Sequence, residues 1–144
     1  MKPKLLFGTG IGWSATTPLY ETLRSHKIIS SGISKEPETL DWIANRDPYT
    51  WKYKRSPKYN EYIRRKSESK LRNSKLLFSK DTTLDNFVEY YKLLSKDDRP
   101  YVCDFSNNNA ELNHRFIAEI APTLKENFDV KVIMIFRDPV RRGY

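Results

Sequence analysis

The chain predicts an α/β fold of three layers, with a mostly parallel sheet between helices, and three observations carry that expectation. Short apolar runs at Lys4 to Gly8, Lys27 to Ile33, Tyr101 to Phe105 and Val130 to Phe136 alternate with stretches of helical periodicity. The last of them, Val-Lys-Val-Ile-Met-Ile-Phe, is rich in β-branched residues, the composition of a parallel strand covered on both faces. The first ends in Gly8-Thr9-Gly10-Ile11-Gly12 and leads directly into a helix start, the punctuation of a strand, loop and helix unit.

In order along the chain, Lys4 to Gly8 is the first strand. Leu19, Tyr20 and Leu23 follow at helical spacing, and Pro18 suits a first turn, where its missing N–H has no intrahelical acceptor to lose. Lys27 to Ile33 is the second strand, and Lys35 to Ala44 reads as a loop running into a short helix with Pro37 near its start. From Pro48 to Asn73 the chain is basic and poor in aliphatics, with one exposed helix expected around Tyr59 to Lys70. Thr82 or Thr83 caps a helix through Leu94, in which Leu84, Phe87, Val88, Tyr91 and Leu94 form one apolar stripe. Pro100 opens the third strand, Tyr101 to Phe105, which the turn-forming run Ser106-Asn107-Asn108-Asn109 closes. A long amphipathic helix from Ala110 to Phe128 uses Leu112, Phe116, Ile117, Ile120 and Leu124, and Pro122 should kink or split it. Val130 to Phe136 completes the set as a buried parallel strand.

A chain of 144 residues is one domain's worth, and three Trp, nine Tyr and seven Phe are too many for a chain disordered throughout. The expected organisation is a single domain over 1–144 with a basic insert at about 48–80. The longest nearly uncharged stretch, Leu5 to Tyr20, is broken by glycines and hydroxyls, which excludes a transmembrane helix and fits no signal peptide. A soluble, cytoplasmic protein is expected. Cys103 alone makes no intrachain disulfide, and with only His26 and His114 it builds no ordinary zinc site, so no metal is expected. The net charge of +8 sits in one place, because Lys52 to Lys75 holds ten basic and two acidic residues while the remainder balances. Such a field attracts polyanions, and the interleaved tyrosines suit stacking on single-stranded nucleic acid; a solvated helix face explains the same run equally well.

A glycine loop between a strand and a helix start is a phosphate cradle in several nucleotide-binding families, because N–H groups and the helix dipole both favour an anion there. The nucleoside-triphosphate pattern G-x-x-x-x-G-K-[ST] is excluded, since no Lys follows a suitably spaced Gly. The dinucleotide pattern G-x-G-x-x-G matches at Gly8 and Gly10 and breaks at Trp13. A turn that merely closes a strand stays open as a third reading.

Trp13-Ser14-Ala15-Thr16-Thr17-Pro18-Leu19 resembles the Lys-Ser-Gly-Thr-Thr-x-Leu loop with which sulfotransferases hold the 5′-phosphosulfate of 3′-phosphoadenosine 5′-phosphosulfate (PAPS). The apolar run ending in Phe136-Arg137-Asp138-Pro139-Val140-Arg141-Arg142-Gly143-Tyr144 is similar to that family's strand, loop and helix for the 3′-phosphate. Ser34-Lys35-Glu36-Pro37-Glu38-Thr39-Leu40-Asp41 resembles the Lys-Glu-Pro-His-Phe-Phe-Asp type segment of the glycan-modifying branch, and Asp104 to Asn109 stands where such enzymes carry an acceptor loop. Thr50 to Lys80 has no counterpart. The resemblance implies a P-loop-like sulfotransferase fold, incomplete at its C-terminus, that moves a sulfuryl group from PAPS to a hydroxyl or amine of a glycan or small molecule.

On that resemblance Gly12, Trp13, Ser14, Ala15, Thr16, Thr17 and Arg137 bind the donor, Glu36 is the base, and Glu38, Asp41 and Ser106 face the acceptor. The chain departs from the family pattern where charge matters most. Trp13 stands for the loop Lys, Ala15 for the loop Gly, Glu38 for the His and Phe105 for a second Lys, which leaves Lys35 as the nearest candidate to supply the missing cation. Two other readings remain: a polyanion- or nucleic-acid-binding module using Lys52 to Lys75, and a sulfotransferase-like domain that binds nucleotide without turnover.

Overall fold

The computed structural model describes residues 2–9, 15–32, 34–45, 73, 75–79 and 81–136. Within them lie four strands, β1 (Lys4–Thr9), β2 (Ile29–Ser30), β3 (Tyr101–Asp104) and β4 (Asp129–Met134). Four helices accompany them: α1 (Thr16–Arg24), α2 (Thr39–Asn45), α3 (Leu84–Leu94) and α4 (His114–Asn127). The strands form one all-parallel sheet in the order β2-β3-β1-β4. Leu5 is level with Val102 on one side and Val130 on the other, so β1 and β3 are the two strands with a neighbour on each edge.

Alternation along the strands sorts the core into two layers. Leu6, Cys103 and partly buried Ile133 point to one face, where Tyr20, Leu19 and Leu23 of α1 cover them. Leu5, Phe7, Val102 and Val130 point to the other, beneath Leu40 of α2, Phe87, Val88 and Tyr91 of α3, and Ile120 and Leu124 of α4. The sheet is therefore sandwiched between helices, as the alternation of runs predicts. Leu77 and Phe78, in a helical piece at 75–78, are buried in the second layer, so the tail of the expected insert belongs to the core. The exposed helix expected at Tyr59 to Lys70 falls outside the described residues.

Several elements differ from expectation for identifiable reasons. The second strand shrinks to Ile29–Ser30, the residues that pair with Tyr101 and Val102 of β3. Thr83 is the cap of α3 and makes a full capping box with Asn86, while Thr82 Oγ1 instead donates to the carbonyls of Leu76 and Ser79. The amphipathic helix starts at His114, after the Asn113 cap, and leaves Leu112 outside. It runs through Pro122 as one element. Pro122 and Ala118, whose carbonyl loses its helical donor, are both exposed, so the orphaned carbonyl is open to solvent and the helix can continue.

The fourth strand corrects a clearer expectation. It is parallel to β1 but lies at the sheet's edge, with Val132 63%, Met134 55% and the following Phe136 83% exposed. A β-branched run identifies a strand; its burial depends on what the neighbouring chain covers.

Candidate functional site

The crossover from β1 through α1 leads to β2 on one side, whereas the connection from β3 through α4 leads past β1 to β4 on the other. Connections leaving neighbouring strands in opposite directions open a crevice at their carboxyl ends, the usual place for a ligand in an open parallel sheet. Thr9 and Asp104 end the two strands, and the segments 15–17, 34–38 and 104–109 converge on them.

Polar bonds hold that end together. Asp104, fully buried, accepts at Oδ1 from the Ser106 N–H (2.9 Å), the Ser106 hydroxyl (2.7 Å) and the Asn109 amide (3.3 Å). The Asn109 amide also donates to the Gly8 carbonyl at 3.2 Å, which fastens the 3₁₀ turn Asn107–Ala110 to β1. Ser106 Oγ accepts from the Glu38 N–H at 2.9 Å, and the Phe105 N–H donates to the Lys35 carbonyl at 3.2 Å. Segment 35–38 is thus pinned to the end of β3 at two points. Asp41 accepts from Asn45 at Oδ1 (2.8 Å) and Asn108 at Oδ2 (3.2 Å), tying α2 to the same turn.

The charged pair sits above this floor. Lys35 Nζ donates to Thr17 Oγ1 at 2.9 Å and forms an ion pair with Glu36. Both side chains are largely covered, with Lys35 16% and Glu36 25% exposed. Thr17 belongs to the first turn of α1, whose cap, Ala15, has φ 62° and ψ 24° and gives no side-chain cap. The left-handed region is where Gly is at ease and Ala is strained. The resemblance places a Gly at this position, and Ala15 keeps the backbone shape that a Gly would favour. Thr16 Oγ1 lies 3.5 Å from Asn107 Oδ1, which brings the α1 start against the 3₁₀ turn. Among the described residues Glu38, at φ 50°, is the second non-glycine residue with a positive φ, and strain of this kind gathers at functional segments.

No family model, curated protein or solved structure matches the chain.

Of the residues singled out in the sequence, Ala15, Thr16, Thr17, Lys35, Glu36, Glu38, Asp41 and Ser106 are brought to one end of the sheet. Gly12, Trp13, Ser14 and Arg137 lie outside the described residues, as does most of the basic run Lys52 to Lys75. The Ile135 N–H donates to the Thr9 carbonyl at 3.2 Å, so the chain reaches Phe136, next before Arg137, alongside the end of β1. Ser106 is buried with its hydroxyl used in both directions, and Asp41 is 8% exposed; the observed work of both is to brace the crevice.

Sequence reasoning missed Thr9 as a member of the site, and it placed Asp104 and Asn109 only within the acceptor-loop resemblance, with no role of their own. An Asp closing an apolar strand just before a Ser-Asn run was the available signal. Thr9 Oγ1 and Asn109 Oδ1 are buried, their residues 8% and 5% exposed, and neither has a hydrogen-bond partner among the described residues. Buried polar atoms without partners are uncommon and point to a strained or ligand-binding place. Gly8 has a structural reason independent of any phosphate: a Cβ there would lie 2.4 Å from the Phe105 ring. Cys103 is no nucleophile, since burial first and the Asp104 charge second push its thiol up to about 12. Among the described residues no helix is long and apolar enough to cross a membrane, and no His, Cys, Asp or Glu cluster is placed to hold a metal.

Proposed function

We propose that this chain transfers a sulfuryl group from PAPS to a hydroxyl or amine acceptor, with a carbohydrate as the acceptor class. The observation that carries the reading is the Lys35, Glu36 and Thr17 cluster, which joins two separately recognised motifs at the carboxyl end of β1 and β3. A cation against the first turn of α1, the buried Thr9 hydroxyl, which has no partner among the described residues, and an α1 start that no side chain caps suit a polar, anionic ligand. That chemistry supports an anionic 5′-end such as the donor carries.

When bound, the donor supplies the sulfuryl group and a stable bisphosphate leaving group. The first-turn N–H groups of Thr16 and Thr17 and the Thr17 hydroxyl hold its 5′-end, and Lys35 offsets the charge that grows on the bridging oxygen as the sulfur–oxygen bond breaks. Glu36 takes the proton from the acceptor hydroxyl or amine as the new bond to sulfur forms. Asp104 and Ser106 keep segment 35–38 in place, which is a positioning role. Arg137 is the expected partner of the 3′-phosphate through its two-pronged guanidinium.

Thermal unfolding with adenosine 3′,5′-bisphosphate, ATP and NAD tests the reading. A rise in Tm with the bisphosphate and little with the other two is expected; no response, or equal responses, overturns it. Glu36→Gln should lower sulfuryl transfer by about 10²- to 10⁴-fold, the usual contribution of a positioned base.

A further inference from the structure

We infer that Glu36 gates the donor site through Lys35: without ligand its carboxylate holds the ammonium, and the donor's phosphosulfate must take that ammonium from it. The inference rests on the sulfotransferase reading and adds a regulation of its site. Three features of the cluster lead there. The backbone that carries Lys35 is pinned, since its carbonyl accepts from the Phe105 N–H and the Glu38 N–H donates to Ser106, and the ammonium itself donates to Thr17 Oγ1. A cation at the start of a helix opposes the dipole and needs an anion close by. Glu36 is that anion, next to Lys35 in sequence and largely covered like it, where the attraction exceeds that of an open surface pair.

One carboxylate also serves two ends. While Glu36 is bound to Lys35, its electron pair is engaged and it is a poor base for an acceptor hydroxyl. Once a phosphosulfate oxygen takes the ammonium, the carboxylate loses that cation beside the group to be transferred and becomes the stronger base. Donor binding thereby readies the base, and the acceptor's proton is drawn only when the sulfuryl group is in place. Waste of donor by water is limited in the same way, because the base is engaged until the donor is seated.

The test is the affinity of adenosine 3′,5′-bisphosphate, by calorimetry, for wild type, Glu36→Gln, Lys35→Ala and the double variant. Gating predicts that Glu36→Gln binds the bisphosphate about 3- to 10-fold more tightly while losing transfer, because a competing carboxylate is gone. It also predicts that Lys35→Ala weakens binding and that Glu36→Gln on top of it then gains little, a non-additive cycle. Glu21→Gln, which removes an exposed acid paired with Arg24 on α1, should leave affinity unchanged. Unchanged or weaker binding by Glu36→Gln overturns the gate while leaving the donor reading intact. The same gain with and without Lys35 also overturns it, since plain repulsion by Glu36 would then suffice. If neither wild type nor Glu36→Gln binds the bisphosphate, both readings fall; binding by the variant alone supports the gate strongly.

Discussion

At the carboxyl end of β1 and β3, Asp104, Ser106 and Asn109 are buried and bonded to one another, whereas along β4 the apolar side chains of Val132 and Met134 stand in solvent. Each region inverts the usual rule, one by burying polar groups and the other by exposing apolar ones. The inversions differ in what they require. A buried carboxylate persists only where donors surround it, and Asp104 Oδ1 has three of them from two residues. An exposed valine needs nothing; it forgoes the stabilisation that a covering element would add. The sheet's end is therefore an organised site, and the edge, with an apolar groove lined by Phe7, Ile120, Leu124 and Val132 beside it, is surface the described residues leave uncovered.

Substitution separates the two regions. Asp104→Ala should have the largest effect, a loss of about 3 kcal/mol or more in urea unfolding, because it strands buried donors on Ser106 and Asn109; a loss below about 1 kcal/mol would show that the network contributes little. Gly8→Ala should cost about 2 kcal/mol by driving a methyl into the Phe105 ring. Combining it with Phe105→Leu should recover part of that loss, and simple additivity of the two would refute the contact as the cause. Ala15→Gly should stabilise the chain by about 1 kcal/mol, read as a higher Tm, because the left-handed backbone at φ 62° is strained for Ala. Met134→Thr, at the exposed edge, should change stability by no more than about 0.5 kcal/mol. A large loss there would mean that the edge is covered after all and would remove the contrast.

Much of the fold was legible in the chain. The stripe from Leu84 to Leu94 gave α3 with its boundary, and Val130 to Phe136 marked β4 to within two residues. Convergence of segments 15–17, 35–38 and 104–109 on one sheet end was foreseen only through the resemblance. No period or propensity indicates that Phe105 N–H will meet the Lys35 carbonyl, or that Lys35 will turn toward Thr17 rather than away from it. Asn109 looked like one more turn residue, yet its amide reaches Gly8, 101 residues earlier in the chain.

By itself the sequence determined what depends on near neighbours: the helical stripes, a threonine cap at 82 or 83, the strand character of the apolar runs and the tolerance of a first-turn Pro18. Those features arise within a few residues, where spacing and side-chain type decide the energy. Only the tertiary structure decided that β1 lies between β3 and β4, that β4 stands at the edge with its apolar face open, that Gly8 is required by a distant ring, and that Lys35 pairs with Glu36 at the start of α1. The physical reason is that strand order and side-chain direction are settled by contacts between segments far apart in the chain, whose closure entropy and packing no local pattern records.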